Sequence, residues 1–147
     1  MTLQETESAA FREAFKHQVF GSHGHRLHYV IGGNGDPVLL VPGWPQSWYA
    51  WRRVMPMLAK RFTVVAVDPP GLGDSDKPMD GYDTNSVALR LKQLTAALGW
   101  DRFHFVGHDI GASAGQASRA AAHGRIDLLM TWRALAPLLP TCVFPRA

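Results

Sequence analysis

The chain has 147 residues, of which 46% are hydrophobic and 18% are charged. This balance predicts one folded domain with a core and argues against a disordered chain. No apolar run approaches the roughly 18 residues that a membrane span needs, and Met1–Ala10 lacks the basic-then-apolar order of a signal peptide. The single cysteine, Cys142, excludes an internal disulfide and a cysteine metal cluster. We therefore expect a cytoplasmic protein without a membrane partner.

The formal net charge is +3, and the basic residues are scattered along the chain. Arg52-Arg53 and Lys60-Arg61 are the only adjacent pairs, so the sequence does not predict a nucleic-acid partner. His23, His25 and His28 cluster near the start of a predicted strand. They could hold a metal or form the polar face of a hairpin, and we expect the hairpin face. No metal or other cofactor is predicted.

The N-terminal part of the chain predicts a helix and an early strand. Ser8–Lys16 has Phe11 and Phe15 at helical spacing, and Gly21–Tyr29 alternates weakly as a strand does. Gly32–Pro37 contains glycine, asparagine and proline in the pattern of a turn, which ends this region.

The middle of the chain alternates short apolar strands with helices. The predicted strands are Pro37–Val41, Thr63–Val67 and Phe103–Val106, and the predicted helices are Ser47–Lys60, which Pro56 must bend or interrupt, and Thr84–Leu98. Such strands are typical of a parallel sheet covered on both faces. The fold class is therefore doubly wound α/β. We divide the chain into an N-terminal helix (1–17), a partial α/β core (18–130) and a divergent tail (131–147).

Three loops follow predicted strands: Pro42–Pro45, Asp68–Asp74 and Gly107–Gly111. Open parallel sheets bind ligands at the carboxyl ends of their strands, so these loops define the candidate site. The last of them lies between a strand and a helix of small residues, which is the layout of a nucleophile elbow. Its central residue is Asp109, where the usual elbow has serine.

A carboxylate at this position can displace a leaving group from a saturated carbon and form an ester on the enzyme. The following helix N-terminus would favour the charged carboxylate. Asp109 could instead be only a helix N-cap, but the neighbouring loops favour a nucleophile. Gly111–Gly115 also fits the G-x-S-x-G pattern of an esterase. It starts four residues after Gly107, which would place Ser113 about one turn inside the helix, so we favour Asp109.

Together, Val41–Ser47, Asp68–Ser75 and Val106–Gly111 resemble the α/β-hydrolases of the epoxide hydrolase and haloalkane dehalogenase group. The resemblance covers residues 18–112 and includes the order and spacing of all three motifs. It implies that Asp109 is the nucleophile and that the backbone N–H groups of Trp44 and Ile110 form the oxyanion hole. It also implies residues that shape the loops, namely Gly43, Pro45 (usually cis), Gly107, His108 and Gly111.

The resemblance implies a two-step reaction on a small-molecule substrate. The aspartate opens an epoxide ring, tyrosines of a cap domain protonate the leaving oxygen, and a histidine-activated water hydrolyses the ester. Ile110 has no side-chain donor for a halide and no cation for fluoroacetate, which favours an epoxide. Trp44 stands where dehalogenases have asparagine and could donate one bond, so a haloalkane or fluoroacetate dehalogenase is the alternative. A non-catalytic remnant is a third.

The chain departs from the pattern of this group at both ends of the resemblance. Its first loop begins Pro42-Gly43 rather than His-Gly. After residue 112 it continues poorly, and the cap, last strands, catalytic acid and base histidine are missing. His104, His108 and His123 are not placed as bases. We therefore expect a truncated enzyme incapable of turnover, with self-association through an exposed sheet edge. A changed reading frame could explain residues 113–147.

Overall fold

The computed structural model describes residues 8–22, 24–121 and 126–132. These residues build a six-stranded sheet in the order β1-β2-β4-β3-β5-β6. β2 is antiparallel to both of its neighbours, β1 and β4, whereas β4, β3, β5 and β6 run parallel to one another. The strands are β1 (Phe15–Ser22), β2 (His25–Gly33), β3 (Asp36–Val41), β4 (Phe62–Val67), β5 (Phe103–His108) and β6 (Ile126–Trp132).

Helices cover both faces of this sheet, which confirms the predicted α/β fold. They are α1 (Ala9–Ala14), a 3₁₀ turn (Trp48–Trp51), α2 (Met55–Leu58), α3 (Thr84–Ala97) and α4 (Ile110–Ala121). One core cluster packs α3 and α4 on the sheet, and includes Leu39, Val65, Leu91, Leu94, Phe105 and Ala114. The other packs α1, the 3₁₀ turn and α2 on the opposite face, and includes Phe11, Phe15, Leu40, Trp48, Met55 and Val64. No described helix has the length and apolar character needed to cross a membrane.

The N-terminal elements differ from the prediction in where the helix ends. The helix stops at Ala14, and Phe15 begins a strand. The predicted strand Gly21–Tyr29 spans the turn of a hairpin formed by β1 and β2. Pairing with β2 gives residues 15–22 backbone hydrogen bonds along one side of β1, and this long-range gain overrides the local helical spacing of Phe11 and Phe15. Those two rings still stack, with centroids 4.4 Å apart.

The predicted helix Ser47–Lys60 is wrong as a single element. The structure has a 3₁₀ turn and a separate short helix, with Pro56 in the first turn of α2. Proline has no N–H to donate, so it is tolerated there and not further inside a helix. By contrast, the prediction of Thr84–Leu98 agrees with α3, whose N-cap is Asp83 and whose C-cap is Leu98.

Several predictions fall on residues that the structure does not describe. These concern His23, His123, Cys142 and the part of the tail from 133 to 147. β6 continues through Thr131 and Trp132, which the sequence assigned to the tail.

Candidate active site

The loops after β3, β4 and β5 meet at one edge of the sheet. β3 lies between β4 and β5 and is parallel to both. The three strands end at Val41, Val67 and His108. Their carboxyl ends therefore place the three predicted loops side by side, as the parallel arrangement requires.

Asp109 occupies the sharp turn between β5 and α4. Its φ of 53° is in the left-handed region, and among the described residues no other non-glycine has a positive φ. The chain approaches itself closely on both sides of this turn. A Cβ on Gly107 would lie 2.6 Å from the Gly111 carbonyl oxygen, and a Cβ on Gly111 would overlap the carbonyl oxygen of Val41. Glycine is therefore required at both positions for the turn to form against β3.

The first loop reaches the Asp109 carboxylate through its backbone. The Trp44 N–H donates to Asp109 Oδ2 at 3.2 Å, and the Trp44–Pro45 peptide bond is cis. Close approach depends on Gly43, because a Cβ there would lie 2.6 Å from Asp109 Cβ. The Trp44 ring and the Ile110 side chain, which is on the first residue of α4, are 70% and 43% exposed. Two exposed apolar residues are therefore next to Asp109, Ile110 in the chain and Trp44 through its backbone bond.

His108 connects the elbow to the first loop. Its Nδ1 lies 3.1 Å from Gln46 Oε1, and because an amide oxygen only accepts, we assign the proton to Nδ1. The Gln46 N–H donates to the Gly43 carbonyl at 2.7 Å and closes the loop. The sequence did not single out Gln46, since a lone glutamine carries no motif signal.

A buried polar network lies behind these loops and was also missed. Asp68 and His28 are 0% and 4% exposed, and Asp68 Oδ2 lies 2.8 Å from His28 Nδ1. The expectation that His28 belongs to a polar hairpin face is therefore wrong, because its side chain faces the interior. The signal that could have found it is the period of two in β2, which places His28 on the same face of the strand as the apolar Val30.

This network also contains the one described group with metal-ligand proximity. The ligand atoms of His28, Asp68 and Asp74 lie within 4.8 Å of one another. However, His28 Nδ1 and both carboxylate oxygens of Asp68 are already engaged in hydrogen bonds. The donor set is satisfied within the protein, so the geometry favours a hydrogen-bonded network over a metal centre.

A family model described as alpha/beta hydrolase fold matches residues 36–126. This chain belongs to the α/β-hydrolase family. It is 52% identical over 91 residues to a soluble epoxide hydrolase of Corynebacterium sp. (strain C12), covering 62% of this chain and 32% of the relative. It is 37% identical over 108 residues to a fluoroacetate dehalogenase of Burkholderia sp., covering 70% of this chain and 36% of the relative. The predicted resemblance is confirmed.

Solved structures agree with the sequence relatives. Cfl2 from Burkholderia cenocepacia superposes with a TM-score of 0.81 at 38% identity, over 95% of this chain and 49% of that chain. The epoxide hydrolase CorEH superposes with a TM-score of 0.79 at 39% identity, over 89% and 47%. This hydrolase chain thus spans about a third of the curated relatives and about half of the solved ones.

The alternative G-x-S-x-G motif, Gly111–Gly115, lies inside α4. The Ser113 N–H donates to the Asp109 carbonyl at 3.3 Å, as expected within the first helical turn. Ser113 lines a cleft of about 130 Å³ together with Tyr82, Val87 and Ile110. The left-handed elbow conformation belongs to Asp109, so the geometry does not support Ser113 as the elbow nucleophile.

Proposed function

We propose that this hydrolase chain carries the nucleophilic part of an epoxide hydrolase site, with Asp109 as the attacking group. The observation that carries the proposal is the Asp109 carboxylate at a left-handed strand-to-helix turn, where Oδ2 accepts the Trp44 N–H. A side chain in this position points away from the protein backbone and towards a substrate. The identity with a soluble epoxide hydrolase supports the substrate class.

The hydrogen bond from Trp44 gives the two oxygens of the Asp109 carboxylate different roles. Oδ2 remains with the backbone donor, and Oδ1 is left to attack an epoxide carbon. As the new C–O bond forms, the bond from that carbon to the ring oxygen breaks. The oxygen stays on the neighbouring carbon as an alkoxide and takes a proton from water or from an acid. The product is a hydroxyalkyl ester of Asp109. When water later attacks that ester, the N–H groups of Trp44 and Ile110 would stabilise the oxyanion.

Hydrolysis of the ester needs a base, and two histidines of the described part of the chain that lie near the site, His108 and His28, are hydrogen-bonded to other groups. His108 pairs with Gln46, and His28 pairs with Asp68 and His17. We therefore propose that the polypeptide of 147 residues stops at the ester. The exposed apolar side chains of Trp44 and Ile110 favour an epoxide with an apolar substituent.

A dehalogenase is the second candidate function, because the chain is also related to a fluoroacetate dehalogenase. In that reaction Asp109 would attack the carbon bearing fluorine, release fluoride and carry a carboxymethyl ester. Ile110 supplies no cation for the substrate carboxylate, which weighs against this candidate. Fluoride release therefore separates it from the epoxide reaction.

Intact-mass measurement with an aryl epoxide tests the proposal. We expect a single adduct with the full mass of the epoxide, mapped by peptide sequencing to Asp109. Asp109→Asn should abolish it because an amide is a poor nucleophile, whereas the exposed control Asp101→Asn should retain it. An adduct that persists in Asp109→Asn would contradict Asp109 as the nucleophile. Repeated turnover to diol would contradict the proposal that the reaction stops at the ester. A parallel incubation with fluoroacetate measures fluoride.

A further inference from the structure

We propose that His28 and Asp68 are positioning residues that hold the Trp44 N–H against Asp109. This inference rests on the proposed function, since it concerns the oxyanion donor of the same site. Neither residue is hydrogen-bonded to the Asp109 carboxylate, so any effect on its reaction must pass through the first loop. The path runs from β2 through the end of β4 to the 3₁₀ turn that follows the loop.

Asp68 directly follows β4 and organises the backbone around it. Its Oδ1 accepts the Trp48 N–H at 2.6 Å, and its Oδ2 accepts the Asp74 N–H at 2.9 Å. Gly73 permits this wrap, because a Cβ there would overlap the Asp68 carboxylate. The carboxylate is fully buried, so losing one of these donors would leave a desolvated acceptor at considerable cost.

His28 makes a further hydrogen bond to the Asp68 carboxylate and fixes its orientation. His28 Nδ1 lies 2.8 Å from Asp68 Oδ2, and His28 Nε2 lies 2.8 Å from His17 Nδ1. A carboxylate only accepts, so His28 Nδ1 is the donor to Asp68. The backbone is tied as well: the His28 N–H donates to Ser75 Oγ, whose hydroxyl donates to the Asp68 carbonyl.

Trp48 connects the Asp68 carboxylate to the first loop, because its N–H donates to Asp68 Oδ1. Its side chain is fully buried, and its ring packs on Phe11 and His17 with centroids 5.7 and 5.2 Å away. The loop that carries Trp44 is thus held by β3 at one end and by the Asp68–Trp48 bond at the other. The short segment between these anchors leaves little freedom for the Trp44 N–H.

Variants of His28 separate positioning from simple support of the fold. Asparagine places an N–H donor near the position of Nδ1 and retains the Asp68 bond, whereas leucine removes it at similar volume. Glutamine extends its amide towards the Nε2 position and serves as the disrupting variant if His28→Leu does not fold. His25→Leu, on the same strand and half-buried, is the matched control.

Two readouts are needed: the rate of Asp109 alkylation and the amide resonance of Trp44 in ¹H–¹⁵N spectra. Displacing a catalytic group by an ångström can cost on the order of 100-fold in rate. We expect His28→Leu or His28→Gln to slow alkylation roughly 10- to 100-fold and to move the Trp44 resonance towards its position in Asp109→Ala, which removes the acceptor of the Trp44 N–H. His28→Asn should restore both readouts, and His25→Leu should change neither.

Wild-type alkylation and an unmoved Trp44 resonance in folded His28→Leu or His28→Gln would overturn the inference. Equal slowing in His28→Asn without a resonance shift would also overturn it, because it would indicate support of the fold alone. If the wild type is not alkylated, the proposed function fails. The Trp44 resonance still decides separately whether His28 controls the donor.

Discussion

Asp109 combines a strained backbone with a reactive side chain. Its φ of 53° places an L-residue in the left-handed region, where the cost is roughly 1–2 kcal/mol for most side chains. Glycine would be the more stable choice at this turn but has no carboxylate. The strain at Asp109 is therefore consistent with a residue kept for chemistry at the expense of stability.

This trade predicts an unusual order of stability between two truncations of Asp109. Both Asp109→Gly and Asp109→Ala remove the carboxylate and its bond to Trp44, so they differ mainly in backbone conformation. We expect the glycine variant to be more stable by about 1 kcal/mol, measured by urea unfolding. At Asp101, where φ is not positive, alanine should equal or exceed glycine. A more stable Asp109→Ala would contradict strain at the elbow.

α3 contributes to the site through its N-terminus. Thr84 and Val87 in its first turn line the cleft beside Ile110. The turn is capped by Asp83, whose carboxylate accepts from the Asn85 and Ser86 N–H groups and from Ser86 Oγ. The hydrogen bond from the Ser86 side chain is the largest cause that lowers the pKa of Asp83, and the bond from the Ser86 N–H lowers it further.

The lowered pKa of Asp83 predicts a pH-dependent helix cap. A carboxyl with a depressed folded-state pKa stabilises the fold above the unfolded pKa, and this is lost as pH falls through the folded pKa. We expect Asp83→Ala to lower the urea midpoint at neutral pH more than Asp83→Asn, which keeps a capping oxygen. The advantage of the wild type over Asp83→Asn should shrink by roughly pH 3. If the urea midpoint of the wild type exceeded that of Asp83→Asn by the same amount at neutral pH and at roughly pH 3, a charged cap would be contradicted.

The described sheet has two edges, β1 and β6, each paired on one side. Outer edges of a sheet present backbone groups that can pair with another chain. β1 adds an exposed apolar residue, Val19, which is 56% exposed. Both features favour contact between copies of this polypeptide.

We predict concentration-dependent self-association, which sedimentation velocity would measure. Val19→Lys places a charge on the β1 edge and should weaken an association that uses it. Val54→Lys, at an exposed apolar position next to α2, is the matched control and should have no effect. Persistence of oligomers in Val19→Lys would contradict a contact at the β1 edge. A monomer at every concentration would contradict the prediction.

Local patterns predicted much of this fold. The apolar runs that became β3, β4 and β5, and the capped helix α3, depend on neighbours in sequence and were predicted within a few residues. The predicted helix Ser47–Lys60 failed because Pro56 is tolerated only in the first turn of a helix, so a new helix begins at Met55 after the 3₁₀ turn. The predicted strand Gly21–Tyr29 failed because its register comes from pairing β1 with β2.

For the site, the sequence alone determined which residue occupies the elbow, because the glycines around Asp109 and the strand before it are adjacent in the chain. The tertiary structure decided which groups face that carboxylate and what holds them. The bond from Trp44 to Asp109 spans 65 residues, and the one from His28 to Asp68 spans 40. No periodicity encodes such contacts, since they exist only after strands distant in sequence have paired in the sheet.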